Sequence, residues 1–222
     1  MQPRKIALIT GTSSGIGLHA AVALARAGYT TVATMRDLGK AGPLRAAAAA
    51  AGVELELAPL DVTDLASITA AVAATLARHG RIDLLVNNAG AGFLGSLEHT
   101  SADDLQRVFA VNFFGTWEMT RAVLPAMRAA GAGRIIQVTS VGGVVGQPFN
   151  DAYCAAKFAV EGMVEALAPV VHGFGVDVTL FEPGAVASEF VANLGASLAA
   201  REAAVDDPYA PMIAAYLDRA GG

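Results

Sequence analysis

The chain has 222 residues, of which 54% are apolar and 16% charged, with a formal net charge of −5; this composition excludes a disordered chain and supplies a sheet buried on both faces. It has no Lys/Arg cluster to neutralise phosphates, so a nucleic-acid partner is not expected, nor is a membrane partner, because no apolar run reaches the roughly 20 residues that span a bilayer. Cys154 is the only cysteine and His19, His79, His99 and His172 lack metal-ligand spacing, so we expect no intrachain disulfide and no metal; a cytoplasmic location fits.

Met1 to Lys5 lead directly into a strand, Lys5 to Thr10, and read as neither signal peptide nor anchor. Further strands are predicted at Thr30 to Met35, Glu54 to Leu60, Leu84 to Asn87, Arg134 to Thr139 and Asp177 to Glu182, mostly as continuous apolar runs. Helices fill the intervals at Gly15 to Ala27, Gly39 to Ala51, Asp64 to His79, Ser101 to Ala130 and Asp151 to Val171. The alanine run Ala46 to Ala51 favours helix and Gly52 stops it. Ser101 with Asp104 can cap the fourth helix, and Pro125 is expected to bend or end it. The βαβ alternation and right-handed crossovers predict one dinucleotide-binding catalytic domain over 1–222, a Rossmann-type α/β fold with a doubly wound parallel sheet and helices on both faces. After Pro183-Gly184 the pattern loosens into helical pieces, and 186–217 reads as a substrate lid.

The first strand runs into Thr10-Gly11-Thr12-Ser13-Ser14-Gly15-Ile16-Gly17 and then a helix. Glycines at such a turn let the backbone approach a pyrophosphate at a helix N-terminus; a plain tight turn is the competing reading. Strand two ends in Arg36-Asp37, where a dinucleotide fold presents the adenosine ribose. Arg36 can pair with a 2′-phosphate and Ser13 can add a hydrogen bond, which favours NADP(H); Asp37 keeps NAD(H) as the alternative, and a solvated Arg36 is the bland one.

Tyr153 and Lys157 are an i, i+4 pair on one helix face. An ammonium close to a phenol favours phenolate, which brings proton exchange nearer to neutral pH. Ser140 follows strand five at the sheet edge where such folds bind ligands, and its hydroxyl can stabilise charge on a substrate oxygen. Asn112, taken alone, is a polar residue bonding nearby backbone.

The glycine turn, Asn87-Asn88-Ala89-Gly90, Asn112, Ser140, Tyr153-Cys154-Ala155-Ala156-Lys157 and Pro183-Gly184 occur in one order across nearly the whole chain, and together they resemble the short-chain dehydrogenase/reductase family. The resemblance implies a cofactor site of Gly11, Ser13, Ser14, Gly15, Ile16, Gly17, Arg36, Asp61, Val62, Asn88, Ala89, Gly90, Tyr153, Lys157, Pro183, Gly184, Val186 and Ser188. It implies catalysis by Asn112, Ser140, Tyr153 and Lys157, with Lys157 holding the nicotinamide ribose. Asn112 would sit at a helix distortion with a water relaying protons. Asn87 to Gly90 and Asp61-Val62 also read as ordinary turn chemistry.

The stretches Ser140 to Gly143, Gln147 to Asp151, Phe158 to Gly162 and Thr34 to Leu38 are similar to the hydroxysteroid and retinol dehydrogenase branch. An apolar carbonyl or alcohol substrate is therefore expected, bound by Ser140, Val141, Gly142, Phe149, Tyr153 and Phe190, with Gly92, Phe93, Leu94, Val144, Gly184, Ala185 and Leu194 as further pocket candidates. Turnover of small ketones or specialised metabolites is the alternative. A cofactor-sensing protein would not require Ser140, Tyr153 and Lys157 together. Cys154 reads as a small buried residue. Phe113, Phe114 and Trp117 read as a helical packing stripe, and the resemblance places that helix at the interface of a homodimer or homotetramer. It also implies a further strand and helix that the chain does not reach.

Overall fold

The computed structural model describes residues 4–184 and 207–220. Six parallel strands form one sheet in the order β3-β2-β1-β4-β5-β6, from β1 (Ile6–Ile9), β2 (Thr30–Met35), β3 (Glu56–Pro59), β4 (Leu84–Asn87), β5 (Gly133–Val138) and β6 (Val176–Phe181). Strand order reverses between β1 and β4, the place where an open α/β sheet leaves a crevice at its C-terminal edge. Strand β3 is shorter than its apolar run because it pairs only with β2, from Val32 opposite Glu56 to Met35 opposite Pro59.

Alternating strand residues face opposite layers. Ile6, Leu8, Leu85, Ile135 and Val176 pack with Ile68 and Val72 of α3 (Leu65–His79), Val123 and Met127 of α5 (Gly115–Ala130) and Val171 of α6 (Asp151–His172). On the other face Ala7, Ile9, Ala33, Met35, Leu84 and Val86 meet Leu18 and Ala21 of α1 (Gly15–Arg26) and Leu44 of α2 (Gly42–Ala50). Leu8, Ile9, Leu44 and Leu85 are wholly buried. Each such side chain contributes about 1.5–3 kcal/mol by leaving water.

Two helices differ from expectation. The predicted second helix starts instead as a 3-10 turn, Leu38–Lys40, whose Asp37 cap accepts from Gly39 N at 2.8 Å; α2 then restarts with Pro43 in its first turn, where a missing N–H costs nothing. The predicted helix from Ser101 to Ala130 is divided by a π-helical turn, Ala110–Phe114, between α4 (Ala102–Phe109) and α5. Ser101 and Asp104 do form a reciprocal capping box. Pro125 does not end α5, which runs on to Ala130 and stops at Gly131 in the left-handed region; burial of Val123 and Met127 outweighs the single backbone hydrogen bond that proline removes.

The last described helix, α7 (Ala210–Ala220), docks outside the main core. Its Ile213, Tyr216 and Leu217 pack with Leu94 and Phe149. None of the described helices is long and apolar enough to cross a membrane.

Candidate active site

A cleft of about 540 Å3 opens at the C-terminal edge of the sheet, a volume that suits a cofactor or small molecule. The turn after β1 lines it with Gly11, Ser13, Ser14, Gly15 and Ile16, the end of β2 with Arg36, the end of β3 with Asp61 and Val62, and the end of β4 with Asn88, Ala89 and Gly90. From the other half of the sheet come Asn112, Ser140, Val141, Tyr153, Lys157, Pro183 and Gly184. Val186, Ser188 and Phe190, the pocket candidates Ala185 and Leu194, and most of the expected lid fall outside the described residues.

The glycine turn is shaped by close contact with β4. Gly11 has φ +69°, and a Cβ there would stand 2.7 Å from the Ala89 Cα. Gly17 lies behind the cleft: a Cβ would come within 2.3 Å of both Asn88 Nδ2 and the Gly11 carbonyl. Its part is to let α1 approach the sheet. Asn88 Nδ2 donates to the Thr10 and Gly11 carbonyls at 2.9 Å, while the Asn88 and Ala89 amides donate to Thr10 Oγ1 at 3.0 and 2.9 Å. Asn87 points away, donating to Thr120 Oγ1 at 3.0 Å. The stretch after β4 therefore locks two strand ends together as well as lining the cleft.

Arg36 faces the Asp61 side of the cleft. Burial opposes ionisation of the Asp61 carboxyl, but hydrogen bonds from the Thr63 amide and hydroxyl and the charge of Arg36 outweigh it and hold the group below its ordinary pKa. Asp37 is committed to its cap and is not part of the cleft lining.

Helix α6 carries Tyr153 and Lys157 inward, 7% and 4% exposed. Lys157 Nζ donates to the Val138 carbonyl at 3.0 Å, and burial pushes its pKa down to about 8 against the favourable charge of Glu161. Burial pushes the Tyr153 phenol above its ordinary value, a hydrogen bond with Ser140 works in the other direction, and neighbouring Cys154 adds to the rise. The expected lowering of Tyr153 by Lys157 is thus not met in this structure, because desolvation is the larger effect. Ser140 Oγ accepts from Gly142 N at 3.1 Å, and the Val141 amide donates to the Pro183 carbonyl at 3.0 Å. These bonds fix the loop after β5 against the end of β6.

Asn112 is completely buried in the π-helical turn. Its Oδ1 accepts from Ala91 N at 3.2 Å, and its Nδ2 donates to the Ala91 and Val108 carbonyls at 2.8 and 3.0 Å. The side chain does bond nearby backbone, and in doing so it ties the helix distortion to the segment after β4.

The structure moves part of the expected substrate wall. Gly142, Phe149, Gly92, Phe93 and Val144 do not line the cleft, whereas Leu94, Val141 and Gly184 do. Gly142 is packed against the start of α6, where a Cβ would meet Cys154 Sγ at 3.3 Å and Tyr153 Cε1 at 3.4 Å. Phe93 joins Val108, Tyr153 and Ala156 in a small core of its own. Phe149, at φ +62°, turns its ring toward Tyr216, 5.9 Å away between centroids. Gln147 and Asn150 also line the cleft without having been expected there, and so do Tyr216 and Leu217, which fall within the 186–217 segment read as a lid but were not singled out in it. Asn150 Nδ2 donates to the Tyr216 hydroxyl at 3.2 Å, which joins α7 to the start of α6. Gln147 and Asn150 lay inside a stretch already singled out, but nothing in the pattern of Ala210 to Ala220 distinguishes a cleft wall from a packing helix. Among the described residues no group of His, Cys, Asp and Glu is arranged to hold a metal ion.

Residues 5–199 match the family model described as short chain dehydrogenase. Retinol dehydrogenase 8 of Bos taurus is 45% identical over 210 residues, covering 93% of this chain and 66% of that protein. 17-beta-hydroxysteroid dehydrogenase type 1 of Homo sapiens is 46% identical over 194 residues, covering 85% of this chain and 58% of that protein. The chain therefore spans less than two thirds of the length of these curated relatives. A metagenomic short-chain oxidoreductase solved in complex with NADP has a TM-score of 0.77 at 36% identity, covering 82% of this chain and 83% of that one.

Proposed function

Because the chain belongs to the short-chain dehydrogenase family, we propose that it is an NADP(H)-dependent oxidoreductase interconverting a carbonyl and an alcohol on an apolar, retinoid- or steroid-like small molecule. The observation that carries this reading is the meeting of Ser140, Tyr153 and Lys157 with the glycine turn in one cleft. The residues fit the cofactor: Gly11 makes room beside Ala89 that a side chain would fill, the backbone at Ser13 to Ile16 opens α1 toward the cleft, and Arg36 offers a cation where Asp37 is already engaged. When bound, the nicotinamide supplies or accepts the hydride.

The protein's own groups then handle position and protons. Ser13, Ser14, Gly15 and Ile16 would hold the pyrophosphate, and Arg36, with the Ser13 hydroxyl, would meet the 2′-phosphate. Asp61, Val62 and the Asn88 to Gly90 segment would enclose the adenosine, and Lys157 with Pro183 and Gly184 would orient the nicotinamide half. Ser140 hydrogen-bonds the substrate oxygen. A phenol raised above its ordinary pKa is neutral at physiological pH, so Tyr153 is set to donate its proton to that oxygen during carbonyl reduction. Asn112 holds the π-helical turn beside Gly90, and with it the path by which a proton returns.

Leu94, Val141 and Leu217 give the substrate end an apolar wall, and likeness to a retinol and a hydroxysteroid dehydrogenase supports a large apolar substrate. Gln147, Asn150 and Tyr216 on the same wall favour a second reading, a smaller and more polar ketone. Both are tested by following loss of reduced-nicotinamide absorbance with NADPH and NADH separately against all-trans-retinal, steroid ketones and small ketones. Carbonyl-dependent oxidation of NADPH establishes the activity and its substrate class, and binding of NADPH without turnover of any of them would point to a sensor.

The reading extends to assembly as a homodimer or homotetramer. Phe114 and Trp117 are 56% and 47% exposed on the π-helical turn and α5, with Phe113 5.3 and 6.0 Å from their ring centres. Aromatic side chains grouped in this way are typical anchors of subunit contacts.

A further inference from the structure

Helix α6 presents Tyr153, Lys157 and Glu161 at successive i, i+4 positions, and all three are less than a tenth exposed. The first two face the cleft; Glu161 does not line it. Its Oε1 is buried without a hydrogen-bond partner, and beside the carboxyl at the end of β5 is the Thr139 side chain, whose hydroxyl donates to the Phe181 carbonyl at 3.3 Å. Gly143 closes over the same spot: a Cβ there would stand 3.1 Å from Glu161 Oε1 and 3.3 Å from Lys157 Cβ. A carboxyl buried with one oxygen unmatched is costly and calls for a compensating role.

We propose that Glu161 is a positioning residue for the reaction: its carboxylate, one helical turn behind Lys157, supplies the counter-charge that keeps Lys157 cationic beside Tyr153. The inference rests on the reading of Lys157 as the charged partner of Tyr153 in the cleft.

Charge balance around the pair leads to the same assignment. Among the described residues Glu161 is the one anion whose charge favours the Lys157 ammonium against burial. The attraction is mutual, since Lys157 in turn favours the Glu161 carboxylate. Opposing it are burial first, then the like charges of Glu182 beyond β6 and Glu165 one turn further along α6, so that the carboxyl is held above its ordinary pKa. The 3-10 turn Val141–Gly143 and the π-helical turn packed against α6 contribute no titratable side chain. Lys157 and Glu161 therefore favour each other's charged form against the burial that opposes both.

The chain contains three lysines, Lys5, Lys40 and Lys157, which allows a test independent of any substrate. In the full chain labelled with [13C]lysine, the Cε–Hε signals are followed by NMR against pH for the wild type, Glu161→Gln and Glu161→Asp. Glutamine preserves the buried volume and removes the charge, so it separates an electrostatic role from space filling. The Lys157 midpoint is expected to fall by about 1 pH unit in Glu161→Gln and to stay close to wild type in Glu161→Asp. In NADPH-dependent carbonyl reduction, the alkaline limb of the pH–rate profile should move down with it. An unchanged Lys157 midpoint in Glu161→Gln overturns the proposal, as does a loss of rate uniform across pH. A shifted midpoint in a protein that turns over no carbonyl would uphold the pairing while removing the proposed activity.

Discussion

Lys157 Nζ lies 5.8 Å from the centre of the Tyr153 ring and gives its hydrogen bond to the Val138 carbonyl, 3.0 Å away. The cation thus stands against the aromatic ring, while the acidity of the phenol is governed by its burial and by Ser140. Such an arrangement keeps the phenol protonated at neutral pH, the state that the proposed reduction requires.

Replacing Tyr153 by Phe preserves the ring and removes the hydroxyl, and with it that proton and the hydrogen bond with Ser140. Carbonyl reduction is expected to fall by roughly 10²–10⁴-fold, with the NADPH dissociation constant changed by less than about twofold on a fluorescence titration. Turnover near the wild-type rate would take Tyr153 out of the mechanism.

Burial of Lys157 also has a signature in stability. Its pKa near 8 lies below the ordinary 10.5, so between those values the unfolded chain binds more protons and stability rises with pH; below about 8 the fold bears the full cost. Lys157→Met removes that cost but leaves the Glu161 carboxylate without its counter-charge, so the signature lies in the pH dependence: wild-type stability should rise from pH 8 to pH 10, that of Lys157→Met should not, and the variant should be inactive. Calorimetry at pH 7 and pH 10 checks this, and an equal rise in both proteins would take Lys157 out of the account.

The proposed use of NADP(H) rests on Arg36. Arg36→Ala should weaken NADPH binding about tenfold through loss of a charge-assisted phosphate contact, with NADH almost unaffected. Equal losses for the two cofactors would show that Arg36 does not meet the 2′-phosphate. The same substitution removes one of the influences that hold the Asp61 carboxyl down, so the Asp61 pKa should rise.

Trp117→Glu places a charge in the exposed aromatic group of α5. If this face joins subunits, sedimentation should show the wild type as a dimer or tetramer and the variant as a monomer at the same concentration. A monomeric wild type would refute that assembly.

Where the backbone must take a particular form, the order of residues was enough to reveal it. Apolar runs covered on both faces became β2 and β4 with the expected bounds, and the Ser101-Asp104 capping box is a local reciprocal bond. Tyr153 and Lys157 are locked to one helix face by the i, i+4 repeat, so their joint burial follows once α6 exists. The π-helical turn around Asn112 was foreseen only through family resemblance, since no propensity in Ala110 to Phe114 calls for it; contacts of Asn112 with Ala91, twenty-one positions away, stabilise it.

The remaining features depend on contacts between residues distant in the chain. Phe149 turns from the expected substrate wall because α7 offers it Tyr216, and Tyr216 enters the cleft because Asn150 meets its hydroxyl. The Tyr153 pKa rises, where neighbouring Lys157 alone suggested a fall, because desolvation depends on everything packed around the ring. Sequence by itself determined the parallel sheet, the glycine turn and the catalytic spacing, all of which arise from local periodicity and backbone freedom. Only the tertiary structure decided which side chains wall the cleft and how strongly each charge is held, because burial and dielectric environment belong to the packed whole.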